Sequence, residues 1–91
     1  MASVIVNLKI MPSSPDEDLS AIDRQASALI AEFGGKVAKR EVIPIAFGLK
    51  ALHIHFVMGE AKGTTEPLEN KIALVKGVQS VDVFDVRRTV G

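Results

Sequence analysis

The spacing of apolar residues along this chain alternates between a strand period and a helix period, and few folds satisfy the order in which it does so. From Ser3 to Met11 the sequence SVIVNLKIM sets Val4, Val6, Leu8 and Ile10 on every second position. That is a strand with one face buried and Ser3, Asn7 and Lys9 on the other. Leu19, Ile22, Ala26, Leu29, Ile30 and Phe33 then recur near the helical period, so one helix stripe faces a core. KVAKREVIPIA and LKALHIHFVM return to the strand period, the second through Leu52, Ile54, Phe56 and Met58. After the polar loop GEAKGTTE, Pro67 opens a shorter helix with Leu68, Ile72 and Val75 on one side, and VQSVDVFDVRRTV closes the chain as a strand.

The order β-α-β-β-α-β has few solutions. Right-handed strand–helix–strand connections set the strands antiparallel in the order 4-1-3-2, with both helices on one face. This is an α+β architecture, the ferredoxin-like βαββαβ sandwich, in a single domain over residues 1–91. The first helix is expected over residues 15–33, with Ser14 as cap, Pro15 at the first helical position and Glu17 completing a capping box. Gly34 and Gly35 end it, and Gly77 ends the second helix. In the last strand Val81 and Val83 share a phase that Phe84 and Val86 do not, which predicts a bulge near Phe84.

Composition removes several classes of function. With no cysteine, disulfides, thiolate metal sites and cysteine nucleophiles are excluded. Eleven Lys and Arg balance eleven Asp and Glu, so the electrostatic footprint of a general nucleic-acid binder is missing. MASVIVNLKIMP lacks the basic start of a signal peptide, and the apolar runs are far shorter than a membrane span. A cytoplasmic domain is the expectation. The balance of charge is global, not local: Asp16, Glu17, Asp18, Asp23 and Glu32 on the first helix and its approach meet only Arg24. Lys36, Lys39, Arg40, Lys50 and Lys62 dominate the hairpin region against Glu41 and Glu60. These are solvated faces or a polar partner surface.

The fold hosts many functions, so the sites must decide among them. An RNA-recognition motif stacks bases on aromatics of its two central strands. The outward residues expected there are Ile5, Asn7 and Lys9, and Ala51, His53 and His55, none of them Phe, Tyr or Trp. An acylphosphatase-type site needs an arginine in a phosphate-cradling loop after the first strand, where MPSSPDED offers carboxylates instead. His53 and His55 face the same way on one strand, but no further ligand converges on them in the sequence, so surface or interface histidines are the plainer reading. No catalytic constellation and no cofactor are called for.

What remains is the turn IPIAFGLK, the strand entry VQSVDV and the doubled arginine Arg87-Arg88. Pro44 removes a backbone donor and Gly48 frees a φ angle, so PIAFG is an irregular protruding turn, with Phe47 presented outward or folded into the core. VIPIAFGLKAL and VQSVDV together resemble the signature stretches of the elongation factor 1-beta family, exchange factors for the GTPase elongation factor 1-alpha, and the resemblance covers essentially the whole chain. It implies a stand-alone exchange domain of archaeal type, lacking the N-terminal region that eukaryotic members carry. The turn, with Pro44, Phe47, Gly48 and Lys50, would contact the partner's second domain through the aromatic. A C-terminal lysine of the family, pushing toward the Mg²⁺ and phosphate site of the first domain, is matched here by Arg88, with Arg87 on the opposite face or sharing the role. The resemblance implies a monomer without direct nucleic-acid or membrane contact. A rival reading is a small-molecule-binding regulatory domain of the same fold, which would self-associate and use loops such as EFGG and MGEAKGTT.

Overall fold

In the computed structural model, residues 3–59 and 64–89 are described. They form β1 (Ser3–Pro12), α1 (Leu19–Phe33), β2 (Lys36–Pro44), β3 (Lys50–Gly59), α2 (Glu66–Ala73) and β4 (Val78–Thr89). The four strands make one sheet in the order β2-β3-β1-β4, every neighbouring pair antiparallel. Read from the other edge, this is the expected 4-1-3-2. Ile22, Ala26 and Ile30 of α1 and Leu68 and Ile72 of α2 join Val6, Leu8 and Ile10 of β1 and Leu52, Ile54, Phe56 and Met58 of β3 in one buried cluster. Both helices therefore cover the same sheet face, and the other face is open. Residues 60–63 of the polar loop, and with them Glu60 and Lys62, lie outside the described residues, as do residues 90 and 91.

The first helix starts later than the sequence suggests. Asp18, not Ser14, is its cap: the Asp18 carboxylate accepts from the backbone N–H groups of Ser20 at 2.9 Å and Ala21 at 3.3 Å. Residues before it close on themselves. Glu17 N–H donates to the Ser14 carbonyl at 3.3 Å, and the Ser13 hydroxyl donates to Glu17 Oε2 at 2.7 Å. Glu17 thus completes a turn and not a capping box, because Asp18 offers a charged acceptor one residue nearer the apolar stripe. The C-terminus follows expectation, with Gly34 left-handed at φ 101°.

Asn7 of β1 pairs with Asp85 while Leu8 pairs with Val83, so Phe84 is the extra residue of a bulge at the expected place. A second irregularity leaves Ala38 extra on β2. Part of the charge asymmetry is consumed internally. Arg40 Nε of β2 sits 2.9 Å and 3.0 Å from the two carboxylate oxygens of Asp23 on α1, and Lys39 pairs with Glu41 at 2.6 Å.

Candidate functional site

The β2–β3 connection is built by two short bonds. Ile45 N–H donates to the Leu49 carbonyl at 2.8 Å and Leu49 N–H to the Ala46 carbonyl at 2.9 Å. Closing the chain so tightly requires two left-handed residues, Phe47 at φ 54° and Gly48 at φ 79°. Glycine adopts this freely, whereas phenylalanine does so at a cost of about 1–2 kcal/mol. Among the described residues Phe47 is the only non-glycine with positive φ. Its side chain is not repaid by burial, being 96% exposed. The outward alternative is therefore the correct one, and Phe47 contributes nothing to the core.

The rest of the turn supports that presentation. Pro44 ends β2 opposite Lys50, on an edge strand where a missing N–H breaks no inner ladder. A β-carbon placed on Gly48 would lie 3.7 Å from Pro15, so the turn leans on the β1–α1 loop. Between them opens a cleft of about 290 Å³ lined by Pro12, Pro15, Glu17, Asp18, Gly48 and Lys50 among others. Leu74, which was not part of the expected helix stripe, is 86% exposed just beyond α2. It lies at the same end of the sheet, since Gly77 accepts from Ser13 N–H at 2.8 Å. A sequence stripe marks buried positions, and nothing in it marks the exposure of a leucine beside them.

Arg87 and Arg88 stand at the other end. Arg87 lies opposite Ile5 and Arg88 opposite Val4, which puts Arg87 on the open face and Arg88 on the helix side. Asp85 accepts from Arg87 Nε at 2.8 Å and from Asn7 Nδ2 at 3.2 Å. The expected site residues thus fall into two groups that the fold does not bring together. Ile5 and Val4 pair on β3 with Val57 and Met58, whereas the turn enters β3 at Lys50. At about 3.3 Å per residue the groups are about 25 Å apart, in a molecule 42 Å long.

The open face carries one feature that the sequence reading missed. The central strands bring no Phe, Tyr or Trp to it, as expected, but the bulge lays Phe84 over the histidines. Its ring centroid is 4.8 Å from that of His53 and 6.3 Å from that of His55. The phase break signalled the bulge; no local pattern signals a ring contact between strands that are not neighbours in the sheet. Ala51, expected to point outward, is buried. Burial pushes His53 below the ordinary imidazole range, helped by Lys9 and His55 and opposed by Glu41. The exposed Glu41 carboxyl is held low by the hydrogen bond and charge of Lys39. Among the described residues no group of three His, Cys, Asp or Glu converges to hold a metal, and no helix is long and apolar enough to cross a membrane.

Comparison with solved structures shows the fold alone. An ACT domain from the GTP pyrophosphokinase of Chlorobium tepidum superposes with a TM-score of 0.62 at 16% identity, covering 90% of this chain and 99% of that one. A de novo designed protein, Foldit4, gives the same TM-score and identity, with 98% of each chain covered. Sequence comparison is more specific. The model of the EF-1 guanine nucleotide exchange domain matches residues 5–89. Elongation factor 1-beta of Methanothermobacter thermautotrophicus is 42% identical, covering 97% of this chain and 98% of the relative. That of Methanobrevibacter smithii is 43% identical with the same coverage. The regulatory-domain reading shares its fold with the ACT likeness but not these matches. A family model that spans nearly the whole chain and relatives more than 40% identical over nearly their whole length lead to one conclusion: the chain belongs to the family of EF-1 guanine nucleotide exchange domains.

Proposed function

We propose that this chain promotes GDP release and GTP loading on elongation factor 1-alpha by engaging that GTPase at both ends of its sheet. Phe47 enters an apolar pocket of the partner, with Pro44 and Gly48 fixing the turn and Lys50 at its edge. Arg88 approaches the magnesium and phosphate site. A cation there competes with Mg²⁺ for the oxygens that hold it, and loss of the metal weakens the hold on the nucleotide's phosphates. Arginine keeps the charge of the family's lysine but spreads it over a planar fork, so the contact is broader. Arg87, held by Asp85, borders the same contact. No bond is made or broken in the chemical sense; the chain works as a cytoplasmic monomer, without nucleic acid.

The observation that carries this reading is Phe47, exposed on a backbone that disfavours its side chain. Strain of that kind, held in place here by the closed turn, clusters at sites of ligand or partner contact. The test is release of a fluorescent GDP analogue from the cognate elongation factor 1-alpha. Substoichiometric amounts of this chain are expected to accelerate it, and GDP is expected to dissociate the complex, because coupling between two ligands is reciprocal. Unchanged release at saturating chain would overturn the proposal.

A further inference from the structure

Past Val83 the last strand has two ways to pair with β1. In the observed ladder Phe84 is extra, Asp85 lies opposite Asn7, Val86 opposite Val6, Arg87 opposite Ile5 and Arg88 opposite Val4. A regular ladder would continue from Val83 with Phe84 opposite Asn7, Asp85 opposite Val6, Val86 opposite Ile5 and Arg87 opposite Val4. Faces alternate strictly along a strand, so the two ladders send every residue from Asp85 onward to opposite sides of the sheet.

Asp85 is the residue that tells them apart. The regular ladder carries its carboxylate to the helix side opposite Val6, the exposed place that Val86 now holds, and away from the Asn7 amide on the other face. The bulged ladder carries it to the open face, where Asn7 Nδ2 and Arg87 Nε both donate to Oδ2. Asn7 is itself only 7% exposed, and its Oδ1 has no partner among the described residues. Asp85 is therefore the acceptor that satisfies the nearly buried Asn7 amide nitrogen. Phe84 rests on His53 in the same arrangement.

We infer that Asp85 is a positioning residue: it sets the register of the end of β4 and thereby selects which of two consecutive arginines stands opposite Val4. The inference rests on the reading of that arginine as the exchange cation. Because the two arginines adjoin, a slipped ladder is not blank. It puts Arg87 in the place of Arg88.

The test combines two readouts on the full chain. Nuclear Overhauser contacts between the backbones of β1 and β4 report the register. The maximal rate of GDP-analogue release from elongation factor 1-alpha, measured apart from affinity, reports which arginine acts. In the wild type Arg88→Ala is expected to cost the larger loss of rate, roughly tenfold, with affinity nearly kept. Asp85→Val keeps a valine opposite Val6 in the slipped ladder, as Val86 stands there now, and removes both hydrogen bonds. Its contacts are expected to shift by one residue, and Arg87→Ala then becomes the more damaging change. Deletion of Phe84 removes the extra residue while leaving Asp85 opposite Asn7, so the wild-type contacts and the greater dependence on Arg88 are expected to stay. Asp85→Ala, read the same way, is expected to populate both registers and serves if the valine variant does not fold. Wild-type contacts alone in either Asp85 variant would overturn the inference. If neither arginine affects the wild-type rate, the exchange role of the tail falls, and with it the selection between arginines, while the contacts still decide the register.

Discussion

Phe47 holds a conformation that its own side chain resists, and two substitutions separate the roles of backbone and ring. Phe47→Ala is expected to leave a urea melt almost unchanged, because no core contact is lost, yet to weaken binding to elongation factor 1-alpha by about 2 kcal/mol, roughly thirtyfold, by calorimetry. A buried phenylalanine would instead cost about 3–5 kcal/mol of stability. Phe47→Gly is expected to raise stability by about 1 kcal/mol, since glycine accepts the left-handed region without strain, while losing the same affinity. His53 makes a prediction of another kind. Burial beneath Phe84, with Lys9 and His55 nearby, lowers its folded pKa against the pull of Glu41. The unfolded chain then binds the proton more readily, so this contribution to stability is complete above the unfolded value of about 6.5 and is lost as pH falls through the lowered folded value. In melts across that window, His53→Gln is expected to flatten the decline; an unchanged slope would show that His53 does not cause it.

At the scale of elements, the start of α1 separates what the sequence displays from what it hides. Asp18→Ala is expected to cost about 1 kcal/mol and lower the melting temperature by about 4–8 °C, whereas Ser14→Ala should cost a few tenths, by thermal melts. Equal effects would contradict the observed cap. All six elements and their order were legible, because each has its own apolar period and the periods allow one compact arrangement. The cap was not, because Ser14 and Asp18 are both fit for the part and only the turn closed by Ser13 and Glu17 decides between them. The bulge was legible as a phase break. Its purpose was not, since Asn7 and Asp85 meet across 78 positions and no local pattern reports such a pair. The turn residues Pro44, Phe47, Gly48 and Lys50 were legible as a group because they are consecutive in one motif; their distance from Arg87 and Arg88 follows only from the register.

For the whole molecule, the two-ended arrangement predicts that docking and nucleotide release can be uncoupled. Arg88→Ala is expected to lower the maximal release rate with little loss of affinity, since the turn about 25 Å away is untouched. Excess Mg²⁺ is expected to inhibit the wild type and to affect the variant less, and Arg88→Lys should retain activity because an ammonium is the family's usual cation. A magnesium titration of release checks all three. The sheet order has one more consequence, in time and not in space. β1 lies between β3 and β4, so the strand that precedes the other five elements is completed on one side only by the last of them. During synthesis the apolar edge of β1 must wait, open to unwanted pairing, until β4 arrives. The arginines travel on β4 itself. A nascent chain thus gains Arg87 and Arg88 in the same step that closes its sheet, and no partly made chain can present them on a finished surface.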